Sequence, residues 1–141
     1  QEKFAETPLT FVNGDALHLP FPDDSFDAAT SAFMMRNVVD VRRAFAEQRR
    51  VVRPGGKVVC LETTRPTNPF FRAFFDLYFF YIVPALGGLF SVKSAYNYLP
   101  NSTVKFPPAE QVRYIMVSVG LRDVFFRKLM FGTVAIHVGT V

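Results

Sequence analysis

Residues 26–62 carry a strand, a helix and a second strand in direct succession, and few folds accept that order. Phe26-Asp27-Ala28-Ala29-Thr30-Ser31-Ala32-Phe33 reads as a strand of small residues, suited to a sheet covered on both faces. Asp40 has the chemistry of an N-cap. Behind it Val41, Ala44, Phe45, Gln48 and Val52 recur at helical spacing, while Arg42, Arg43, Glu47, Arg49 and Arg50 cover the opposite, solvated face. Pro54-Gly55-Gly56 stops that helix, because proline lacks the amide donor and glycine accepts positive φ. Lys57 to Glu62 is the next strand. Two strands joined through a helix run parallel, with a right-handed crossover. The expectation is an open α/β sheet.

The flanks extend it. Leu9-Thr10-Phe11-Val12-Asn13 reads as a short strand ended by Gly14-Asp15, and Pro20, Pro22 and Asp23-Asp24-Ser25 form a loop. Residues 66–106 are an aromatic-rich insertion, helical over 69–83. Pro107-Pro108 opens a helix that runs to about Val119 and ends at Gly120. Leu121 to Leu129 and Phe131 to Val138 are two strands so close in sequence that an antiparallel hairpin joins them. The whole predicts one domain over 1–141: a mostly parallel sheet with a C-terminal antiparallel hairpin.

Composition narrows the function classes. With half its residues hydrophobic, the chain can bury a core and is not a disordered tail. The net charge of +4 is scattered over helix faces and strand ends, which reads as solvated surface first and as an affinity for anionic membrane second. No basic-aromatic stacking motif points to nucleic acid. The lone Cys60, in an apolar run, excludes an internal disulfide and reads as a core residue in a reducing, cytoplasmic setting. Residues 69–90 form the longest apolar stretch, but Arg72, Asp76, Pro84 and Gly87-Gly88 interrupt it. It is expected to be buried or to touch a membrane surface rather than to span one. Nine aromatics between Phe70 and Phe90 suit a core under a lid, or a greasy channel. His18 and His137 lack metal-ligand spacing, so no metal site is expected. Gln1-Glu2-Lys3 is no signal peptide and reads as the start of a trimmed chain. No G-x-G-x-x-G follows a strand, which removes a dinucleotide-binding reading.

Several phrases go further. GDALHLPFPDDSFD at 14–27, Arg36-Asn37-Val38, VVRPGGKVVCLETTRPT at 51–67, AYNYLPNSTVKFP at 95–107 and FGTVAIHVGT at 131–140 follow one another in a recognisable order. From about residue 9 to 141 the chain resembles the UbiE/COQ5/MenG quinone C-methyltransferases, most closely their bacterial demethylmenaquinone-methylating members. The resemblance implies a partial class I, Rossmann-like fold that uses S-adenosylmethionine (SAM). It implies a parent sheet in the order 3-2-1-4-5-7-6, of which this chain carries the third strand and the last four. The family's first strand, its glycine-rich loop and the acidic end of its second strand have no counterpart here, so the chain reads as an N-terminally truncated, acceptor-side portion.

By the same resemblance Asp15 accepts from the adenine amino group, with the Ala16 or Leu17 backbone beside it, whereas its plain reading is a turn residue bonding its own backbone. Ala32 stands beside the methyl-transfer centre, where the family often has Ser, and Met34 where it often has Gly. Arg36 and Asn37 are the catalytic candidates: a guanidinium beside a quinol hydroxyl favours its ionised form, which pushes electron density onto the ring carbon. The plain alternative for Arg36 is a structural arginine capping loop carbonyls. Tyr78, Tyr96 and Tyr98 are substrate-side candidates. The implied substrate is a polyprenyl quinol, specifically a demethylmenaquinol, met at the inner face of a membrane. Two other readings stay open: a methyl acceptor of another phenolic or lipid kind, and a non-catalytic piece that self-associates. The strand at 26–32 would be a bare edge, so a homodimer or strand swap through it, or through 9–13, is expected.

Overall fold

A computed structural model of the chain describes residues 9–66, 68–78 and 106–141. Its strands are β1 (Phe26–Ala32), β2 (Val52–Thr63), β3 (Arg122–Leu129) and β4 (Val134–Thr140), in the order β1-β2-β4-β3. β1 and β2 are parallel, with Ala28 opposite Lys57 and Ala32 opposite Leu61. β4 runs antiparallel to both neighbours, with Thr63 opposite Val134 on one side and Phe125 opposite Val138 on the other. The hairpin thus inserts its second strand against β2 and leaves β3 at the rim, which is the 4-5-7-6 end of the expected order.

The helices are α1 (Val41–Val51), α2 (Pro69–Leu77) and α3 (Ala109–Ser118). The Asp40 carboxylate accepts from the Arg43 amide at 2.9 Å and caps α1 as expected. α1 buries Ala44, Phe45, Gln48 and Val51; Val52 already belongs to β2, so the strand begins five residues before Lys57. A Cβ on Gly56 would come within 2.5 Å of the Asp27 carbonyl and press on Val52, so the close approach of β1 to β2 requires glycine there. Gly120, at φ +91°, ends α3. The core lies between α1, α3 and one sheet face, with Phe45, Met35 and Met116 fully buried beside Val58, Cys60, Val112 and Leu121. Burial pushes the Cys60 thiol up to about 12, as suits an inert core residue.

Three expectations change. Leu9–Asn13 forms no strand: with no neighbouring strand to pair its backbone it stays irregular, and Phe11 is 92% exposed. Among the described residues only one sheet face is covered, so Ala28, Thr30 and Ala32 of β1 are exposed on the other. The hairpin turn is longer than one residue, a 3-10 turn at Met130–Gly132. The predicted helix over 69–83 is described to Leu77 and its remainder, with Tyr96 and Tyr98, lies outside the described residues. No described helix is long and apolar enough to cross a membrane.

Candidate functional site

The parallel pair β1–β2 sends both chains out at the same carboxyl edge, where open α/β sheets gather ligands. The exit from β1 is strained. Phe33 sits at φ +53°, a region that non-glycine residues avoid, and its amide donates to the Leu61 carbonyl at 2.9 Å. A 3-10 turn at Met35–Asn37 follows, anchored by the fully buried Met35. Such strain costs on the order of 1–3 kcal/mol and persists only when the surroundings over-determine it.

Glu62, the penultimate residue of β2, supplies that determination. Its side chain is 1% exposed. Oε1 accepts from Arg36 Nη1 at 2.5 Å and from the Thr63 amide at 2.8 Å; Oε2 accepts from the Arg36 amide at 3.3 Å. The Arg36 side chain is 10% exposed and its guanidinium lies over the Phe33 ring, 5.5 Å from the centroid. A buried carboxylate and a buried guanidinium are tolerable only together. Arg36 Nε, Thr64 Oγ1 and Arg65 Nε are buried without a hydrogen-bond partner among the described residues, and all three follow the ends of β1 and β2. Asn37, beside Arg36, is exposed, and its amide nitrogen lies 3.5 Å from the Phe33 carbonyl.

Asp15 lies in the loop that precedes β1. Its Oδ1 accepts from the Leu17 amide at 2.9 Å, and its Oδ2 lies 3.8 Å from His18 Nδ1, with the side chain 64% exposed. Arg43, in the first turn of α1, donates to the Leu17 carbonyl at 3.2 Å and contacts His18 at 2.7 Å. Lower down, Glu47 accepts from the Leu19 amide at 2.9 Å, and Arg50 holds the Leu19 and Phe21 carbonyls and the Asp23 carboxylate. The 15–24 loop is therefore fastened along α1, and α1 begins four residues after Asn37. Arg43, Glu47 and Arg50, which the helical pattern assigns to a solvated face, are the fasteners. The Arg50 guanidinium holds the Glu47 carboxyl below its ordinary value.

Of the predicted residues, Ala32, Arg36 and Asn37 follow one another at the end of β1, with Ala32 exposed, while Asp15 and half-buried Ala16 lie in the loop held to the first turn of α1. Asp15 makes the turn bond of its plain reading and leaves Oδ2 outward. Tyr78, 52% exposed, follows α2, where Phe70, Phe71, Phe74 and Leu77 are also exposed. Phe71 stacks on Phe131 of the β3–β4 turn, centroids 4.9 Å apart, so this aromatic ledge rims the same edge. Glu62 was not singled out by sequence; the available signal was an acid within an otherwise apolar strand, two residues past Cys60. An open cleft of about 730 Å³ between α1 and the end of α3, lined by Arg42, Arg43, Arg49 and Ser118, contains none of the predicted residues. His137 is a core residue: its ring bonds the Ala109 carbonyl at 2.9 Å, and burial holds it below its ordinary value. The described residues contain no cluster of metal-ligating side chains.

The family model described as the ubiE/COQ5 methyltransferase family matches residues 1–141. The ubiquinone/menaquinone biosynthesis C-methyltransferase UbiE of Geobacter sulfurreducens is 45% identical over 121 residues, 86% of this chain and 47% of that protein. The demethylmenaquinone methyltransferase of Roseiflexus sp. (strain RS-1) is 46% identical over 138 residues, 97% of this chain and 58% of that protein. The chain thus spans about half the length of the curated relatives it matches. Among solved structures, a SAM-dependent methyltransferase from Thermotoga maritima superposes with a TM-score of 0.64 at 18% identity, covering 92% of this chain and 62% of that one. At that identity the likeness establishes the class I methyltransferase fold.

Proposed function

The chain belongs to the ubiE/COQ5 methyltransferase family, and from that membership we propose that it forms the acceptor side of a SAM-dependent C-methyltransferase acting on a demethylmenaquinol, a 2-polyprenyl-1,4-naphthoquinol. The observation that carries the reading is the strained Phe33–Asn37 turn, tied to buried Glu62 at the carboxyl edge and rimmed by exposed aromatics. An outward Asp15 Oδ2 beside half-buried Ala16, with the small side chain of Ala32 at the strand end, fits the adenine edge and the methyl-bearing end of SAM. Once bound, SAM supplies an electrophilic methyl group.

The chain's own residues do the rest. Asp15 holds the adenine amino group, and Ala32 leaves room at the reacting carbon. Arg36 and Asn37 hold a quinol oxygen and so aim the ring. Glu62 matches the charge of Arg36, so Arg36 contributes a directed hydrogen bond more than a net positive field. Alignment supplies most of the rate, in a site dry enough to favour a reaction that merges opposite charges. The ledge of Phe70, Phe71, Phe74 and Tyr78 takes the prenyl tail and, with the chain's net charge of +4, rests on an anionic membrane surface from the cytoplasmic side. The outer edge of β1 pairs with no described strand, which favours a homodimer or strand-swapped assembly, and equally the second reading, a non-catalytic self-associating piece.

Incubation with methyl-labelled SAM and short-chain demethylnaphthoquinol, against benzoquinol and phenol, tests the function. Label in the naphthoquinol ring is expected. Label in benzoquinol or phenol alone would move the acceptor class. No label, together with no thermal shift on adding SAM, would favour the self-associating piece.

A further inference from the structure

We infer that Glu62 is the positioning residue of the acceptor site, and that it holds Arg36 through Nη1 so that Nε is a donor offered to the acceptor oxygen. The inference rests on the acceptor-side reading above and adds a residue and an atom to it. Glu62 engages Arg36 twice, once at Nη1 and once at the backbone amide. Two anchors on one residue fix both where the turn sits and how the side chain leaves it. The Thr63 amide and hydroxyl hold the carboxylate in turn, at 2.8 and 3.3 Å from Oε1. Nη1 of the fork is thereby committed inward to Glu62 and the guanidinium lies over Phe33, while Nε keeps a hydrogen with no acceptor among the described residues.

A buried donor without an acceptor is costly, and native structures keep few. This one is kept where the chain leaves the sheet at its ligand edge. Thr64 Oγ1, two residues beyond Glu62 and so on the same face of the chain, is likewise buried and without a partner among the described residues. An N–H donor and a hydroxyl left open at one edge suit an aromatic diol, whose oxygens can accept from the first and either accept from or donate to the second. No proton is transferred in this step: a guanidinium stays protonated in proteins, so Arg36 binds and aims the oxygen and is not its base.

The arginine Nε–H region of the ¹H–¹⁵N spectrum reads this directly, using the whole chain and 1,4-dihydroxynaphthalene kept reduced under argon. The Arg36 resonance is assigned by its loss in Arg36→Lys. In the unaltered chain it should shift on adding the diol. In Glu62→Gln, with the amide spectrum still dispersed, the shift should vanish and solvent exchange of that Nε–H should quicken by about tenfold, as befits loss of a charge-assisted hydrogen bond. Glu62→Asp, which keeps the charge but withdraws it by one methylene, should give an intermediate result and stands in if the Gln variant does not fold. An Nε–H that ignores the diol in the unaltered chain, or one that shifts equally in the Glu62 variants, would overturn the inference. Absence of methyl transfer with an intact Nε–H response would count against the methyltransferase reading alone.

Discussion

Arg36 and Glu62 show how a residue's setting decides its worth. Each is buried, and each compensates the other. Removing one partner should therefore cost much more than a surface pair would, about 3–5 kcal/mol, because the survivor stays buried and charged. Urea unfolding of Arg36→Ala and Glu62→Ala should show losses of that size; a change under 1 kcal/mol would mean that the turn opens to water. His137 sets the pH response. Burial lowers its folded value below 6.5 while the unfolded chain titrates near 6.5, so the unfolded state takes up the proton first on acidification. Stability from this residue is complete above pH 6.5 and is lost as pH falls below it. The urea midpoint should be level from pH 8 to 7 and drop below about 6.5, and His137→Gln should flatten that drop. At this scale the sequence was legible where local chemistry names the residue, as with Asp40, whose carboxylate caps α1, and Asp15, which makes the turn bond of its plain reading. Glu62 stayed hidden because an acid at a strand's end looks solvated until its partner arrives from another strand.

The elements were legible wherever periodicity and punctuation agreed. Asp40, the apolar spacing of 44–51 and the glycines after it placed α1 and the crossover correctly. The charged face of α1 was misread, because its partner is a loop some 28 residues away and helical period says nothing about loops. That fastening predicts its own test. Arg50→Ala removes bonds to the Leu19 and Phe21 carbonyls and to Asp23, and should release the 15–24 loop while leaving the sheet folded. Hydrogen exchange should then speed at the Leu19 and Asp24 amides while β2 and β4 stay protected. Uniform loss of protection would mean that the loop and sheet unfold as one unit. Leu9–Asn13 marks the opposite limit: β-prone residues form no strand without a neighbour.

For the whole molecule, the order β1-β2-β4-β3 was foreseen through the family resemblance, since spacing alone cannot say that β4 lies inside β3. The open edge of β1 and the bare face carrying Ala28, Thr30 and Ala32 follow from which elements the described residues contain. That edge should drive concentration-dependent association, and sedimentation showing one monomeric species from micromolar to millimolar would remove it. The central claim is that the Asp15 loop and the Phe33–Asn37 turn serve one site. Backbone amide spectra recorded with SAM and 1,4-dihydroxynaphthalene together test it most directly. The account predicts shifts at Asp15 and Ala16 and, in the same sample, at Ala32, Arg36 and Asn37; shifts confined to the Arg42–Arg49 cleft between α1 and α3, with both edge clusters still, would contradict it.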